Sequence, residues 1–402
     1  MMCRKSATSN LIVMLVFGLL VFHTFTYLQN YYNYITTLVV FALVVLLSLH
    51  KAGWVVRIKG YNSVIFLYVM TAALILMGIA IRKKDIVYMA GSYLPYVIWP
   101  TLFFMVEPLM TPRAKRTFLL LFIGFFAVSV GATLSVLVTD NNAARLLAGV
   151  AKGAVREAYY SRGVGGYGFV YGCVFMLYGL IIWLSKEKNK ALKACLFLLI
   201  TVMLVMIVYS SYTIALLLSI IVFVLSIYTK SKRKDATVIF VLVMLSLVFL
   251  MVPVLNLIHN IAENLELEWI VKRISQLLNA EETGAFADLK RMQLYKTSLE
   301  TFASNIFLGG THIGGHSMVF DHMAVYGLIG GVFCISFFLW LIKFGGGFGK
   351  RIGLIYWMFL ALLCVNTADT IMMHPMVLFA LPLMLSYTAE ESEGVKGTQT
   401  VP

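Results

Sequence analysis

Residues 192–229 read LKACLFLLITVMLVMIVYSSYTIALLLSIIVFVLSIYT. Two apolar runs, 192–209 and 212–229, stand back to back across the polar turn Tyr209-Ser210-Ser211-Tyr212-Thr213. Each is close to the ~20 residues that cross a bilayer core. Lipid offers backbone N–H and C=O groups no hydrogen-bond partner, so runs that span must be helices. Working outward, similar runs recur at 11–28, 32–49, 62–81, 86–106, 117–138, 163–184, 236–258, 318–342, 352–370 and 375–388, the last short and holding Pro382. The expected fold is therefore all-α, a polytopic transmembrane bundle of about 12 spans.

Composition agrees. Of 402 residues 61% are hydrophobic and 12% charged, and the mean hydropathy is +0.90. A soluble globular surface does not tolerate so little charge. Of the five cysteines, Cys173, Cys195, Cys334 and Cys364 fall inside spans and Cys3 stands beside Arg4 and Lys5, which fits neither a disulfide framework nor a metal cluster. The first span follows those two cations without a small-x-small cleavage pattern and reads as a retained anchor.

All Lys and Arg residues can be placed in connections. With the N-terminus inside, 20 of the 32 fall on the cytoplasmic side and 12 outside, so the positive-inside rule puts both termini in the cytoplasm. The net charge of +14 thus orients helices and calls for no nucleic-acid partner. The outside cations, Arg82 to Lys84, Arg145, Lys152, Arg156, Arg162, Lys272, Arg273, Lys290, Arg291 and Lys296, are either ordinary loop solvation or, as a group, a surface for an anionic ligand.

Residues 1–390 read as one transmembrane domain and 391–402 as a disordered cytoplasmic tail. Two connections are long, 139–162 and 259–317, both outside. The second carries an amphipathic helix in AENLELEWIVKRISQLL, and another over Phe286–Ser304, with Leu289, Met292, Lys296, Leu299 and Phe302 on its apolar side and a stop at Asn305.

Next comes GGTHIGGHSMVFDHMAVYGLIGG, residues 309–331. Its glycines forbid regular helix before Ser317 and admit a close ligand. Ser317 is an expected N-cap, which sets His316 at the positive end of the tenth span, where an anion is attracted and imidazolium disfavoured. A neutral histidine there can act as a general base, or it is only a polar cap. Asp321, one turn on, either orients the histidine or holds a sugar hydroxyl. A metal set of His312, His316, Asp321 and His322 matches no compact metal-site spacing. Gly327 and Gly331 read as a pair for close helix packing.

Elsewhere, Arg162 opens SRGVGGYGFVYG, where Tyr167 is placed to stack on a sugar ring; the plainer reading is an interfacial arginine and aromatic belt. The turn holding Tyr212 is either a hairpin or a hydroxyl-rich pocket wall. Asp369, near the outer end of the eleventh span, is an intramembrane carboxylate and so either a functional group or one that Asn366 and Thr367 merely satisfy.

The run RMQLYKTSLETFASNIFLGGTHIGGHSMVFDHMAVYGLIGG, with RGVGGYGFVYG and SSYTIALLL, resembles bacterial oligosaccharide repeat-unit polymerases, the Wzy-type O-antigen and capsule polymerases, which share a superfamily with the O-antigen ligases. The likeness covers about Arg162 to Gly331. It implies an inverting, metal-independent glycosyltransferase without a cofactor, working at the outer leaflet of the bacterial cytoplasmic membrane on polyprenyl-diphosphate-linked oligosaccharides. On that resemblance Arg162 and Arg291, with Lys290 beside it, bind the diphosphate, and His316 deprotonates or orients the attacking hydroxyl. Tyr167, Tyr212 and Ser317 are then further substrate contacts, Asp321 shares the catalytic role, and flippase and chain-length regulator proteins are expected partners. Many ligases carry His-Asn where this chain has His316-Ser317, which favours a polymerase. Ligase-type transfer to another acceptor and a precursor transporter are the alternatives.

Overall fold

The computed structural model describes residues 7–31, 34–52, 61–147, 153–210, 286–315, 317–345 and 374–397, with scattered residues between 212 and 275. All regular structure among them is helical. In chain order the helices are α1 (Ala7–Thr24), α2 (Tyr34–Ala52), α3 (Tyr61–Ala80), α4 (Ile86–Tyr93), α5 (Pro95–Val106), α6 (Pro112–Thr139), α7 (Ala143–Leu147), α8 (Ala154–Ser161), α9 (Tyr167–Lys186), α10 (Lys190–Tyr209), α11 (Phe286–Ser304), α12 (Met318–Gly345) and α13 (Leu381–Gly397). A 3₁₀ turn covers Thr26–Tyr31, and a π-turn over Met376–Ala380 leads into α13.

Local chemistry sets the ends. Thr111 accepts from the Ala114 amide with Pro112 in the first turn, Asn189 accepts from Leu192, and Asp85 accepts from Val87 and Tyr88. Five of the described helices are long and apolar enough to cross a membrane, and the α4–α5 pair makes a sixth if counted as one span. The expected spans at 236–258 and 352–370, most of 212–229, and most of the amphipathic helix expected in the long connection lie outside the described residues. Helix α13 runs on to Gly397, and residues 398–402 of the expected tail are likewise outside.

Two expected spans are not continuous helices. The run 86–106 is broken at Leu94 and bent by 47°. Pro95 has no N–H for the carbonyl of Gly91, and its ring crowds the preceding turn. The tenth run breaks at Gly327, which holds φ +58°.

By internal contact the chain forms two compact units. The first comprises Met1–Phe223, Val332–Ala361 and Asp369–Pro402; the second comprises Val224–Gly331 and Leu362–Ala368. In the first, α9 is the central helix, 83% buried over its apolar window. Its glycines admit the C-terminal segment: a Cβ on Gly172 would lie 2.8 Å from Met376 Sδ, and one on Gly179 2.7 Å from Met384 Sδ. Tyr96 packs edge to face on Phe333 and Phe337 at 5.3 and 5.0 Å, and Trp99 meets Phe379 edge to face at 6.2 Å.

One end of this unit is tied by charge. Lys115, 2% exposed, pairs with Glu107 and donates to Ser386 Oγ at 3.2 Å. Nearby in sequence, Arg116 pairs with Glu187 at 3.2 Å. Burial works against the ionised form of Glu187, but the Asn189 amide, the Trp183 indole and Arg116 outweigh it, so its carboxyl stays below the ordinary range.

The second unit holds α11 and the first limb of α12. Helix α11 has the expected bounds, but its buried face differs from the expected one. Leu299 is 41% exposed and Ser298 only 1%. The reason is polar: Ser298 Oγ donates to Asp321 and accepts from the Gly314 amide, and that docking selects the face. Gly327 and Gly331 are not a packing pair. A Cβ on Gly327 would lie 2.4 Å from the Ile306 carbonyl, which also accepts from the Leu328 amide, so this glycine lets the 305–308 turn sit against the helix break. Gly330 is the tight position, 2.0 Å from the His322 carbonyl, whereas Gly331 meets only ordinary contact.

Candidate functional site

In the second unit the site is a loop closed by one carboxylate. Ser317 caps α12, its Oγ accepting from the Phe320 amide at 3.2 Å. Asp321 reaches back over that first turn. Its Oδ1 accepts from Ser298 Oγ at 2.7 Å and from the Gly315 amide at 3.2 Å, and its Oδ2 from the Ser317 amide at 3.1 Å. Both neighbours of His316 are therefore fixed by Asp321, while His316 itself lies outside the described residues. Gly315 holds φ +77°, which a side chain would resist. The loop enters through Gly309 at φ +67°, with the Gly310 amide donating to Ala324 O at 2.6 Å. Tyr295 on α11 meets Phe320 edge to face at 5.6 Å.

Of the other expected residues here, Lys290 and Arg291 have their backbone in α11 and their side chains outside the described part; Asp369 lies outside it altogether. His322 directs Nδ1 to Met318 O of its own helix at 2.6 Å. Among the described residues no group of three or more His, Cys, Asp or Glu is arranged to hold a metal ion.

The remaining expected residues, Arg162, Tyr167 and Tyr212, belong to the first unit. There a cavity of about 380 Å³ opens among the 3₁₀ turn, the α4–α5 bend, α7, α8, the start of α9 and His374. Tyr167 lines it, and the Tyr212 ring packs on Tyr167 at 5.5 Å while its hydroxyl donates to Ala144 O at 2.8 Å. The loop 163–166 is held on α6 by Thr133, whose hydroxyl accepts from the Gly165 amide at 2.9 Å. Arg162 sits between Tyr160 and Gly165, both of which line the cavity, but is itself exposed. Arg145 and Arg156 are exposed on the same connection, Arg156 lying over the Tyr160 ring at 5.4 Å. Tyr159 donates to Asp140 at 2.5 Å, a bond that favours the protonated phenol and raises its pKa.

No protein-family model matches the chain, and no curated protein matches it either.

Sequence reasoning passed over two residues of this cavity, His23 and His374. His23 Nε2 meets Thr37 Oγ1 at 2.8 Å, and its ring packs edge to face on Trp99 at 5.1 Å. His374 lies against the glycine face of α9, 3.4 Å from a Cβ on Gly168 and 3.3 Å from one on Gly172. The available signal was chemical: a histidine inside an apolar run and another before Pro375, both polar groups at membrane depth or its edge.

Proposed function

We propose that the chain is a membrane-embedded, inverting, metal-independent glycosyltransferase that joins polyprenyl-diphosphate-linked oligosaccharide repeat units into a polysaccharide at the outer face of the bacterial cytoplasmic membrane. The observation that carries the reading is Asp321 gathering Gly315 and Ser317 at the start of α12. A residue between two fixed amides, next to a capped helix N-terminus, suits a base that must meet an incoming hydroxyl in a set geometry. A glycosyl diphosphate is already activated, so the protein must neutralise the leaving group and remove one proton. Arg162, exposed at the end of α8, and Arg291 on α11 are the assigned guanidiniums, and arginine forks suit phosphate oxygens without a metal. Asp321 takes a positioning role, because its oxygens already accept from the loop.

The test is to supply the purified protein with a polyprenyl-diphosphate-linked repeat unit and resolve the products by size. A ladder retained on the carrier lipid is expected; product moved to a different acceptor would mark a ligase. A folded His316→Ala variant that still makes the full ladder overturns the role of that residue.

A further inference from the structure

Helix α3 ends its apolar run at Ala80, and α4 begins the next at Ile86. Where two such runs end together, the turn between them stands at the headgroup level of a bilayer. That turn holds Arg82, Lys83, Lys84 and Asp85, a net charge of +2. Lys83 and Lys84 are exposed and Arg82 is half-buried. Directly beyond them Ile86, Val87 and Tyr88, the first turn of α4, are 62–64% exposed. Cations and large apolar side chains are thus presented side by side.

The chain fixes this arrangement from both sides. The Arg82 amide donates to Met77 O at 3.3 Å and the Lys84 amide to Gly78 O at 3.0 Å, which ties the turn to the end of α3. Helix α4 folds back with Met89 in the notch at Gly78, where a Cβ would have no room. Asp85 caps α4, its Oδ1 accepting from the Val87 and Tyr88 amides at 2.8 and 3.1 Å. Lys83 holds φ +50°, the one non-glycine in the left-handed region among the described residues. The dipole of α3 accounts for a cation in its last turn. It does not account for a lysine kept where glycine is the easier residue, nor for the apolar tip beside it.

We propose that this turn and the first turn of α4 bind an anionic phospholipid, its phosphate on Lys83 and Lys84 and an acyl chain against Ile86, Val87 and Tyr88. An acidic protein would meet the cations and leave the apolar tip idle, and a hydrocarbon chain alone would do the reverse. A phospholipid carries both groups on one molecule, in the order in which this surface presents their partners. Nothing in this assignment rests on the glycosyltransferase reading.

The experiment uses the full-length protein in phosphatidylcholine nanodiscs doped with a trace of phosphatidylglycerol or phosphatidylcholine that bears a photoactivatable group near the glycerol end of one acyl chain. Adducts are then mapped by peptide mass spectrometry. At about fivefold per net charge, labelling of residues 81–93 by the anionic lipid should exceed that by the zwitterionic one roughly 25-fold. The exposed face of α6 around Leu121 and Val128 should label alike with both. Lys83→Gly should cut the excess about fivefold and leave thermal unfolding level, because glycine suits φ +50°. Lys83→Arg should keep the excess. If Lys83→Gly does not fold, Lys84→Gln should show the same loss. Ile86→Ser with Val87→Ser should lower labelling by both lipids. Equal labelling of residues 81–93 by the two lipids, an excess that survives loss of either lysine, or labelling unchanged by the serine pair overturns the proposal. So does removal of the excess by soluble glycerol 1-phosphate at the same concentration, since a phosphate alone would then fill the site.

Discussion

Replacing Asp321 by alanine tests how the glycine loop keeps its shape. The carboxylate accepts from Ser298 Oγ, Gly315 N and Ser317 N, and Ser298 Oγ in turn accepts from Gly314 N. A hydrogen bond to a charged group contributes about 1.5–3 kcal/mol net when buried. Asp321 is half-buried, so about 1 kcal/mol for each of the three donors is the discounted figure, or about 3 kcal/mol for the loop. At ~1.4 kcal/mol per factor of ten, the open form of the loop gains roughly a hundredfold. Hydrogen exchange followed by mass spectrometry reads this directly: protection at Gly314, Gly315 and Ser317 should drop by about two orders of magnitude in Asp321→Ala. Amides within the α9 helix should keep theirs. Asp321→Asn should fall between, since its NH₂ group must face one of the donors. Unchanged exchange at Gly315 and Ser317 in the alanine variant would mean that the glycines alone shape the loop, and the positioning role of Asp321 would be lost.

Two other perturbations have definite signs. Glu107→Ala leaves the Lys115 ammonium, 2% exposed, without its carboxylate and should destabilise the first unit by about 3 kcal/mol in a mixed-micelle unfolding titration, whereas Glu107→Ala with Lys115→Met should recover most of that loss; equal stabilities for the single and double variants would contradict the pairing. Because the folded pKa of Glu187 is depressed, its contribution is fully present above the ordinary carboxylate value of about 4.3 and is lost as pH falls through the lower folded value. The unfolding midpoint of wild type minus that of Glu187→Gln should therefore shrink as pH falls through that window, and a difference independent of pH would refute the assignment.

The parts of the molecule that sequence disclosed are those decided locally. Helix α11 begins and ends where its amphipathic pattern and Asn305 put it, and Ser317 caps α12 because the side chain and the amide it serves are three residues apart. What sequence hid depends on partners far along the chain. Which face of α11 is buried follows from Asp321 and Gly314, and Gly327 has its meaning only beside Ile306. Pro95 stood in plain view inside an apolar run, yet hydropathy averages over a break that one missing N–H creates. His23, Thr26 and His374 are separated by up to 351 positions, and no spacing rule joins them.

The glycine face of α9 also sets an order of events during synthesis. Gly172 and Gly179 are matched to Met376, Leu381 and Met384, Trp183 packs on Tyr387, and Lys186 donates to Thr388 O at 2.7 Å. Those partners leave the ribosome roughly two hundred residues later, about 10–40 s at ~5–20 residues per second. Through that interval the glycine grooves of α9, the most buried candidate span among the described residues, lack those partners. The nascent protein is thus left unfinished at the centre of this unit until the segment from His374 to Thr388 arrives, and a chain stopped short of His374 would be a substrate for quality-control proteolysis.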